Sequence, residues 1–143
     1  MQLTINLFAL TSQYQINAAM NPSAVLSGGT PNATMVKDSN LRLHLEGCME
    51  EVFRAASTVI GIPFPPPKLA TIEQILRSTE RNEGGKPSML LDWERGSTME
   101  LEAILGNPIR LAIEKGVVMP RLQAMYALLK TAQAKRAGKQ SKL

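Results

Sequence analysis

Apolar residues recur every three or four positions along most of this chain, which is the period of an α-helix. The clearest case runs from Ser39 to Ile60, where charged residues lie largely on the face opposite the apolar one. Serine commonly caps the N-terminus of a helix. The pattern predicts a long amphipathic helix over residues 39–60, capped by Ser39. Its expected buried face holds Leu41, Leu45, Cys48, Met49, Val52, Ala55, Ala56 and Val59.

Helical periods cover most of the remaining sequence, and segments rich in glycine, proline and asparagine interrupt them. The further predicted helices cover residues 4–21, 71–81, 98–114 and 120–137. Residues 27–34 are a predicted loop, and the proline-rich segment 61–67 is a predicted stiff connector. We therefore expect one all-α, compact multi-helix domain over residues 1–136, followed by a flexible basic tail over residues 137–143.

The N-terminal segment carries two signals. Residues 1–10 alternate apolar and polar positions as a strand does, but a helical period begins directly after them. We expect one helix from Thr4 to Asn21 and a break or kink at Pro22, because proline lacks the amide donor. The first charged residue is Lys37. So long an uncharged stretch indicates either a central helix packed on all sides or a surface that a missing domain or second subunit covers.

Composition excludes several classes of protein. The chain is 44% hydrophobic and only 4% aromatic, and its eight methionines indicate an aliphatic, Met-rich core. The net charge of +4 comes from the C-terminal segment, since residues 1–129 hold 11 basic and 12 acidic residues. Without a basic stripe interleaved with aromatic residues, we expect no nucleic-acid binding. No uninterrupted apolar run predicts a membrane span, and the N-terminus lacks the basic residues of a secretory signal.

Cys48 and His44 are the only residues of their types. Cys48 falls on the predicted apolar face of its helix, which indicates a buried, unreactive thiol. His44 lies one turn earlier, but a Cys–His pair without a third orienting group does not identify a catalytic site. One histidine and one cysteine also supply too few ligands for a transition-metal site. We expect no bound metal.

The sequence ends in Ser141, Lys142 and Leu143. A C-terminal Ser-Lys-Leu is the signal that a peroxisomal import receptor reads. The basic, exposed segment before it suits an accessible tail. The tripeptide therefore predicts a peroxisomal protein with that receptor as a partner. The alternative is a cytoplasmic protein whose lysine-rich end finishes in this way by chance.

Two groups of polar residues stand on otherwise apolar segments. Gln13, Asn17 and Asn21 recur every four residues, so their carboxamides share one helical face. Ser88 lies far along the chain, and Glu100 follows it by twelve residues. Such groups suggest a site built between helices. Each residue also has a structural explanation: backbone or solvent contacts for the asparagines, a helix cap for Ser88, and a helix dipole for Glu100.

The same residues carry a resemblance to a known family. The motifs, in order, are N-x-x-x-N-P from Asn17, S-M-L-x-D from Ser88, E-L-E-x-I-x-G from Glu100 and K-G-V-x-x-P from Lys115. Over residues 11–130 this ordered set resembles the C-terminal helical domain of 2-dehydropantoate 2-reductases (ketopantoate reductases). The implied fold is that of the 6-phosphogluconate dehydrogenase C-terminal domain.

The resemblance implies a reaction in which NADPH gives a hydride to a 2-oxo acid. By position, Asn17, Asn21 and Ser88 match the family's substrate-binding residues. Glu100 matches the acidic residue at the junction of substrate and cofactor. Gln13 stands where the family has its catalytic lysine, and a carboxamide cannot act as a general acid at neutral pH. The family's further asparagine fits poorly, because Asn32 is displaced from the expected position.

The sequence contains no strand followed by G-x-G-x-x-G, the signature of a dinucleotide-binding domain. We therefore expect that this chain binds no cofactor alone, and that it is a fragment or truncated product that is inactive by itself. Its expected partners are a missing nucleotide-binding domain or a second copy in a homodimer. The alternatives are a non-catalytic helical dimerisation or protein-interaction module, and a domain that retains the pocket and binds a 2-oxo acid.

Overall fold

The computed structural model describes residues 2–63 and 67–142, with side chains from residue 13 onward. Within these residues the structure is helical and contains no strand, which confirms the all-α prediction. The α-helices are α1 (Gln2–Leu26), α2 (Asn32–Lys37), α3 (Ser39–Ile60), α4 (Ile72–Arg81), α5 (Ser88–Arg95), α6 (Asn107–Glu114) and α7 (Pro120–Gln140). A π-helical turn, Glu102–Gly106, leads directly into α6. No helix in the described ranges is long and apolar enough to cross a membrane.

Helix α1 is the centre of the fold. It packs against α2, α3, α5, α7 and the π-helical turn. Along it, Ala18, Ala19 and Ala24 are buried, and small side chains let the neighbouring helices approach closely. The interpretation of the uncharged segment as a central helix is therefore confirmed for residues 14–25. The side chains of residues 1–12 lie outside the described part of the chain.

The predicted end of this first helix at Asn21 is wrong. Helix α1 continues to Leu26, and Pro22 is buried within it. A proline inside a helix removes one backbone hydrogen bond and costs about 3 kcal/mol, but packing on several sides offsets that loss here. The helix ends instead at Gly28 and Gly29, which have positive φ angles of 85° and 96°. Their amides donate to the carbonyls of Val25 and Ala24, closing the last turn.

Other features also differ from the prediction: α5 was not predicted, and the helix predicted over residues 98–114 starts only after the non-helical residues 97–100 and contains the π-helical turn. Residues 32–37, partly assigned to a loop, form α2 because Met35 and Val36 are buried. Helix α3 has the predicted bounds, but Asp38 is its cap and accepts a hydrogen bond from the amide of Leu41. Helix α7 continues to Gln140, beyond the predicted end at residue 137. The expected tail is thus helical as far as residue 140. Leu143 and residues 64–66 lie outside the described residues.

The core is aliphatic and rich in methionine, as the composition predicts. Seven of the eight methionines are buried in it: Met20, Met35, Met49, Met89, Met99, Met119 and Met125. One buried residue is charged. The Glu51 carboxylate is 1% exposed, and it accepts hydrogen bonds from the backbone amides of Arg121 and Leu122. Glu51 on α3 therefore satisfies the free N–H groups at the start of α7.

Candidate functional site

The carboxamide stripe of α1, meaning Gln13, Asn17 and Asn21, runs from solvent into the protein. Gln13 is exposed, Asn17 is half-buried and Asn21 is 3% exposed. The structure gives neither asparagine a hydrogen-bond partner within the described residues. Backbone pairing therefore does not explain these two side chains, and their amide groups are available to a ligand.

Ser88 is the first residue of α5 and is exposed. The N-cap of α5 is Pro87, and no side chain caps this helix, so the helix-cap explanation of Ser88 is wrong. Met89 and Leu90, the next two residues, are buried and hold α5 against α1. The helix packing therefore fixes the backbone of Ser88 while leaving its hydroxyl free to bind.

Of the two carboxylates in the E-L-E motif, Glu100 and Glu102, the structure uses one. Glu102 accepts hydrogen bonds from Tyr126 Oη at 2.5 Å and from Arg110 Nη2 at 2.6 Å. The hydrogen bond from Tyr126, followed by that from Arg110, lowers the pKa of Glu102. Glu100 is exposed, lies in the non-helical segment before the π-helical turn, and has no ion pair within the described residues. Glu102 therefore has a structural role, and the Glu100 carboxylate remains free.

The elements that carry these residues are neighbours. Helix α5, which begins at Ser88, packs against α1, and so does the π-helical turn that begins two residues after Glu100. The stripe of Asn17 and Asn21 belongs to α1 itself. The predicted site residues thus lie on the central helix and on two elements that each pack against it.

Tyr14 links two of these elements, and the sequence pattern did not reveal this. Pro108 has no amide, so it cannot donate to the carbonyl of Ile104, four residues earlier. The hydroxyl of Tyr14 donates to that carbonyl at 2.9 Å. Burial raises the pKa of Tyr14, which remains a neutral donor at physiological pH. In the sequence, Pro108 was the only indication of this contact, because a proline near the start of a helix leaves the carbonyl four residues earlier without its usual N–H donor.

The predicted character of Cys48 as a buried thiol is confirmed. It is fully buried, and burial raises its pKa to about 12, with the charge of Glu51 adding to the effect. Its sulfur lies 3.5 Å from His44 Nε2, and the same nitrogen lies 3.0 Å from Ser23 Oγ. Burial lowers the pKa of His44. Among the described residues no group of histidine, cysteine and carboxylate side chains could hold a metal ion.

A dinucleotide does not fit the residues present. The two glycine pairs near a helix start, Gly28–Gly29 and Gly84–Gly85, join α1 to α2 and α4 to α5 instead of joining a strand to a helix. A dinucleotide site needs a glycine-rich turn between a strand and a helix N-terminus. The described part of the chain provides no such unit.

Comparisons with known proteins agree with this geometry. The family model "Ketopantoate reductase PanE/ApbA C terminal" matches residues 9–133. The chain belongs to the ketopantoate reductase family. It corresponds to the family's C-terminal helical domain, which confirms the resemblance drawn from the ordered motifs.

Two curated relatives and two solved structures show how much of the family the chain represents. The Saccharomyces cerevisiae protein YDL144C is 36% identical over 83% of this chain and 33% of its own length. A 2-dehydropantoate 2-reductase from Nostoc is 32% identical, over 76% of this chain and 32% of its own length. The crystal structure of the Methylococcus capsulatus 2-dehydropantoate 2-reductase matches with a TM-score of 0.79 and 33% identity, over 90% of this chain and 40% of that one. The Geobacter metallireducens enzyme matches in fold, with a TM-score of 0.74 and 24% identity. The chain therefore spans about a third of these curated relatives.

Proposed function

We propose that this chain forms the substrate-binding half of an NADPH-dependent 2-oxo acid reductase of the ketopantoate reductase type, and that it is inactive by itself. The observation that carries the proposal is the unpaired state of Asn17 and Asn21 on the central helix. Both belong to the N-x-x-x-N-P motif that carries the family resemblance, and no described residue forms a hydrogen bond with either side chain. Their amide groups can therefore hydrogen-bond a ligand in place of solvent.

The residue types suit a 2-oxo acid. Amide and hydroxyl groups of Asn17, Asn21 and Ser88 would hydrogen-bond the carboxylate and hydroxyl groups of such a substrate without adding repulsive charge. Glu100 supplies a free carboxylate at the edge of the site. The nicotinamide would come from outside these 143 residues. Gln13 cannot deliver the proton that the reduced keto oxygen needs, so both hydride and proton delivery are absent from this chain.

Binding and catalysis are tested separately. Calorimetric titration of the folded chain with 2-dehydropantoate should give saturable binding that Ser88→Ala weakens about tenfold, the equivalent of one good hydrogen bond of about 1.4 kcal/mol. Ser97→Ala is the matched control, because Ser97 is also exposed but lies after α5. Absence of binding to a folded sample would refute the substrate-site assignment.

Catalysis requires the missing groups to be restored. We expect no reduction of 2-dehydropantoate by the chain with NADPH. Activity should appear when Gln13→Lys is combined with the nucleotide-binding part of a relative such as the Methylococcus capsulatus enzyme. Gln123→Lys, at an exposed position on α7, is the control and should restore nothing. Turnover by the unmodified chain alone would refute the inactive half-enzyme.

A non-catalytic interaction module remains the second candidate, and one surface favours it. A shallow apolar cavity of about 140 Å³ lies between α3 and α6, where its lining includes Val59, Pro108 and Leu111. Leu111 is 45% exposed, and Val118 nearby in the chain is 67% exposed. If the chain forms a dimer and binds no 2-oxo acid, Leu111→Ser should dissociate it, as analytical ultracentrifugation would show.

A further inference from the structure

A second cavity, the α1–α7 groove, lies away from the carboxamide stripe. It measures about 420 Å³, and its lining residues are Ser23, Leu26, Ser27, Leu41, His44, Arg121, Ala124, Met125 and Leu128. At ~100° per residue, Ser23 and Leu26 lie roughly 140–160° around α1 from Asn21. The groove is thus distinct from the proposed substrate site. Its volume and its largely apolar walls with few polar groups are typical of small-molecule sites.

Arg121 is the one charged residue among the lining residues, and α3 holds its guanidinium in place. Nη1 of Arg121 lies 3.3 Å from Oε1 of the buried Glu51. The rest of the guanidinium lies against Gly47, where an added Cβ would collide with Nε and Cζ. No hydrogen bond from Nε or Nη2 to a described residue is present. Arg121 is thus paired with Glu51 through Nη1, and its Nε and Nη2, which lie against Gly47, keep their N–H donors without a partner among the described residues.

The other polar groups of the groove are neutral. Ser23 Oγ donates to the carbonyl of Ala19 at 2.6 Å and lies 3.0 Å from His44 Nε2. Because burial lowers the pKa of His44, the ring is uncharged at neutral pH. Glu51 is fully engaged by backbone amides and Arg121, so it presents no open carboxylate to the groove.

The leucine side chains that line the groove are more exposed to solvent than the side chains of the core. Leu128 is 59% exposed and Leu26 is 41% exposed, and half-buried Leu41 of α3 also belongs to the lining. These side chains offer a surface for an aliphatic chain, and covering them would remove apolar area from water. The guanidinium is the charged group in the lining of the groove, and the leucines form its apolar walls.

We infer that the α1–α7 groove binds a small carboxylic acid with an aliphatic tail, whose carboxylate pairs with Arg121 and whose tail covers Leu26, Leu41 and Leu128. A planar carboxylate matches the free edge of the guanidinium, which can give it two parallel hydrogen bonds. A neutral tail suits the uncharged histidine and serine. The inference does not depend on the proposed reductase function, because the two sites share no residue.

Octanoate is the probe, and 1-octanol has the same tail without the charge. Calorimetry on the full chain should show saturable octanoate binding that is at least about tenfold tighter than that of 1-octanol. Arg121→Gln should weaken octanoate binding about tenfold and leave 1-octanol unchanged, because it keeps the backbone amide that Glu51 accepts. Arg110→Gln is the matched control, since Arg110 pairs with Glu102 on another surface.

A second pair of variants tests the cavity without removing a charge. Ala124→Trp places an indole in the groove and should abolish octanoate binding, whereas Ala127→Trp, an exposed position of α7 outside the groove, should not. Circular dichroism checks that each variant is folded. No saturable octanoate binding, equal affinity for octanoate and 1-octanol, or an unaffected Ala124→Trp protein would each overturn the inference. So would a wild-type dimer that Ala124→Trp dissociates, because a second copy would then occupy the groove.

Discussion

The buried carboxylate of Glu51 connects α3 to α7, and replacing it by glutamine tests how α7 is held. Its oxygens lie 2.9 and 3.0 Å from the amide nitrogen of Arg121, and Oε2 lies 3.2 Å from that of Leu122. Glutamine keeps the shape of the side chain but turns one acceptor oxygen into an NH₂ donor. That donor would face the N–H groups at the start of α7, so at least one of them loses its partner.

The expected loss follows from these contacts. Removing a helix cap costs about 0.5–2 kcal/mol. A buried donor left without a partner costs about 1–3 kcal/mol. We therefore expect Glu51→Gln to lower the free energy of unfolding by about 2–4 kcal/mol. With an unfolding entropy of about 2.1 cal/mol/K per residue, a chain of this length would lose roughly 7–13 °C in Tm.

Urea unfolding followed by circular dichroism measures this free energy, and differential scanning calorimetry measures Tm. Glu50→Gln is the matched control, because Glu50 is the preceding residue of α3 and is exposed. It should change stability by less than about 0.5 kcal/mol. If Glu51→Gln proves as stable as Glu50→Gln, the start of α7 does not depend on this carboxylate and the reasoning is refuted.

Three further predictions concern other contacts. Tyr14→Phe should lower the free energy of unfolding in urea by about 1–2 kcal/mol, because the Ile104 carbonyl loses its donor. Burial of the Cys48 thiol, with a pKa of about 12, should make its reaction with a thiol reagent at pH 8 far slower in the folded chain than in urea. The lowered pKa of Glu102 contributes stability above the unfolded carboxyl pKa of about 4.3, and this is lost as pH falls through the folded value. The free energy of unfolding of Glu102→Gln should therefore fall less steeply with decreasing pH, in the acid range, than that of the wild type.

Each of these has an outcome that contradicts it. A Tyr14→Phe protein as stable as the wild type would mean that the Ile104 carbonyl is satisfied in another way. Rapid modification of Cys48 under native conditions would mean that the thiol is accessible. Glu114→Gln is the control for Glu102, because Glu114 is exposed and has no ion pair within the described residues. If Glu102→Gln and Glu114→Gln lose the same amount of stability as the pH falls into the acid range, the contacts of Glu102 do not affect stability.

The helices were predictable because their apolar residues keep one period. The pattern of α3 predicted both of its ends, and Ile75 and Leu76 of α4 are buried as their spacing indicates. The errors occurred where a contact from elsewhere outweighs a local preference. Pro22 does not end α1, because helices on several sides hold the chain helical across the missing hydrogen bond. Asp38, not Ser39, caps α3, since both residue types suit that position and only the backbone geometry chooses between them.

The candidate site was predictable only through its ordered motifs. Asn17 and Asn21 share a face by periodicity, but nothing in the sequence alone shows that their amides are unpaired. The contacts of Tyr14 and Glu51 were not predictable, because their partners are 90 and 70 residues away.

The family resemblance implies a lysine where this chain has Gln13, and the contacts around this position indicate that such an exchange leaves the fold intact. Tyr14 and Glu51 carry two of the long-range hydrogen bonds of the central helix and of α7. Gln13, next to Tyr14, is exposed and contributes none. Replacing a lysine by glutamine at such a position removes a proton donor without disturbing the packing. We therefore expect Gln13→Lys to leave the free energy of unfolding within about 0.5 kcal/mol of the wild type, as measured in urea. A larger change would mean that position 13 also serves the fold and that the two roles are not separable.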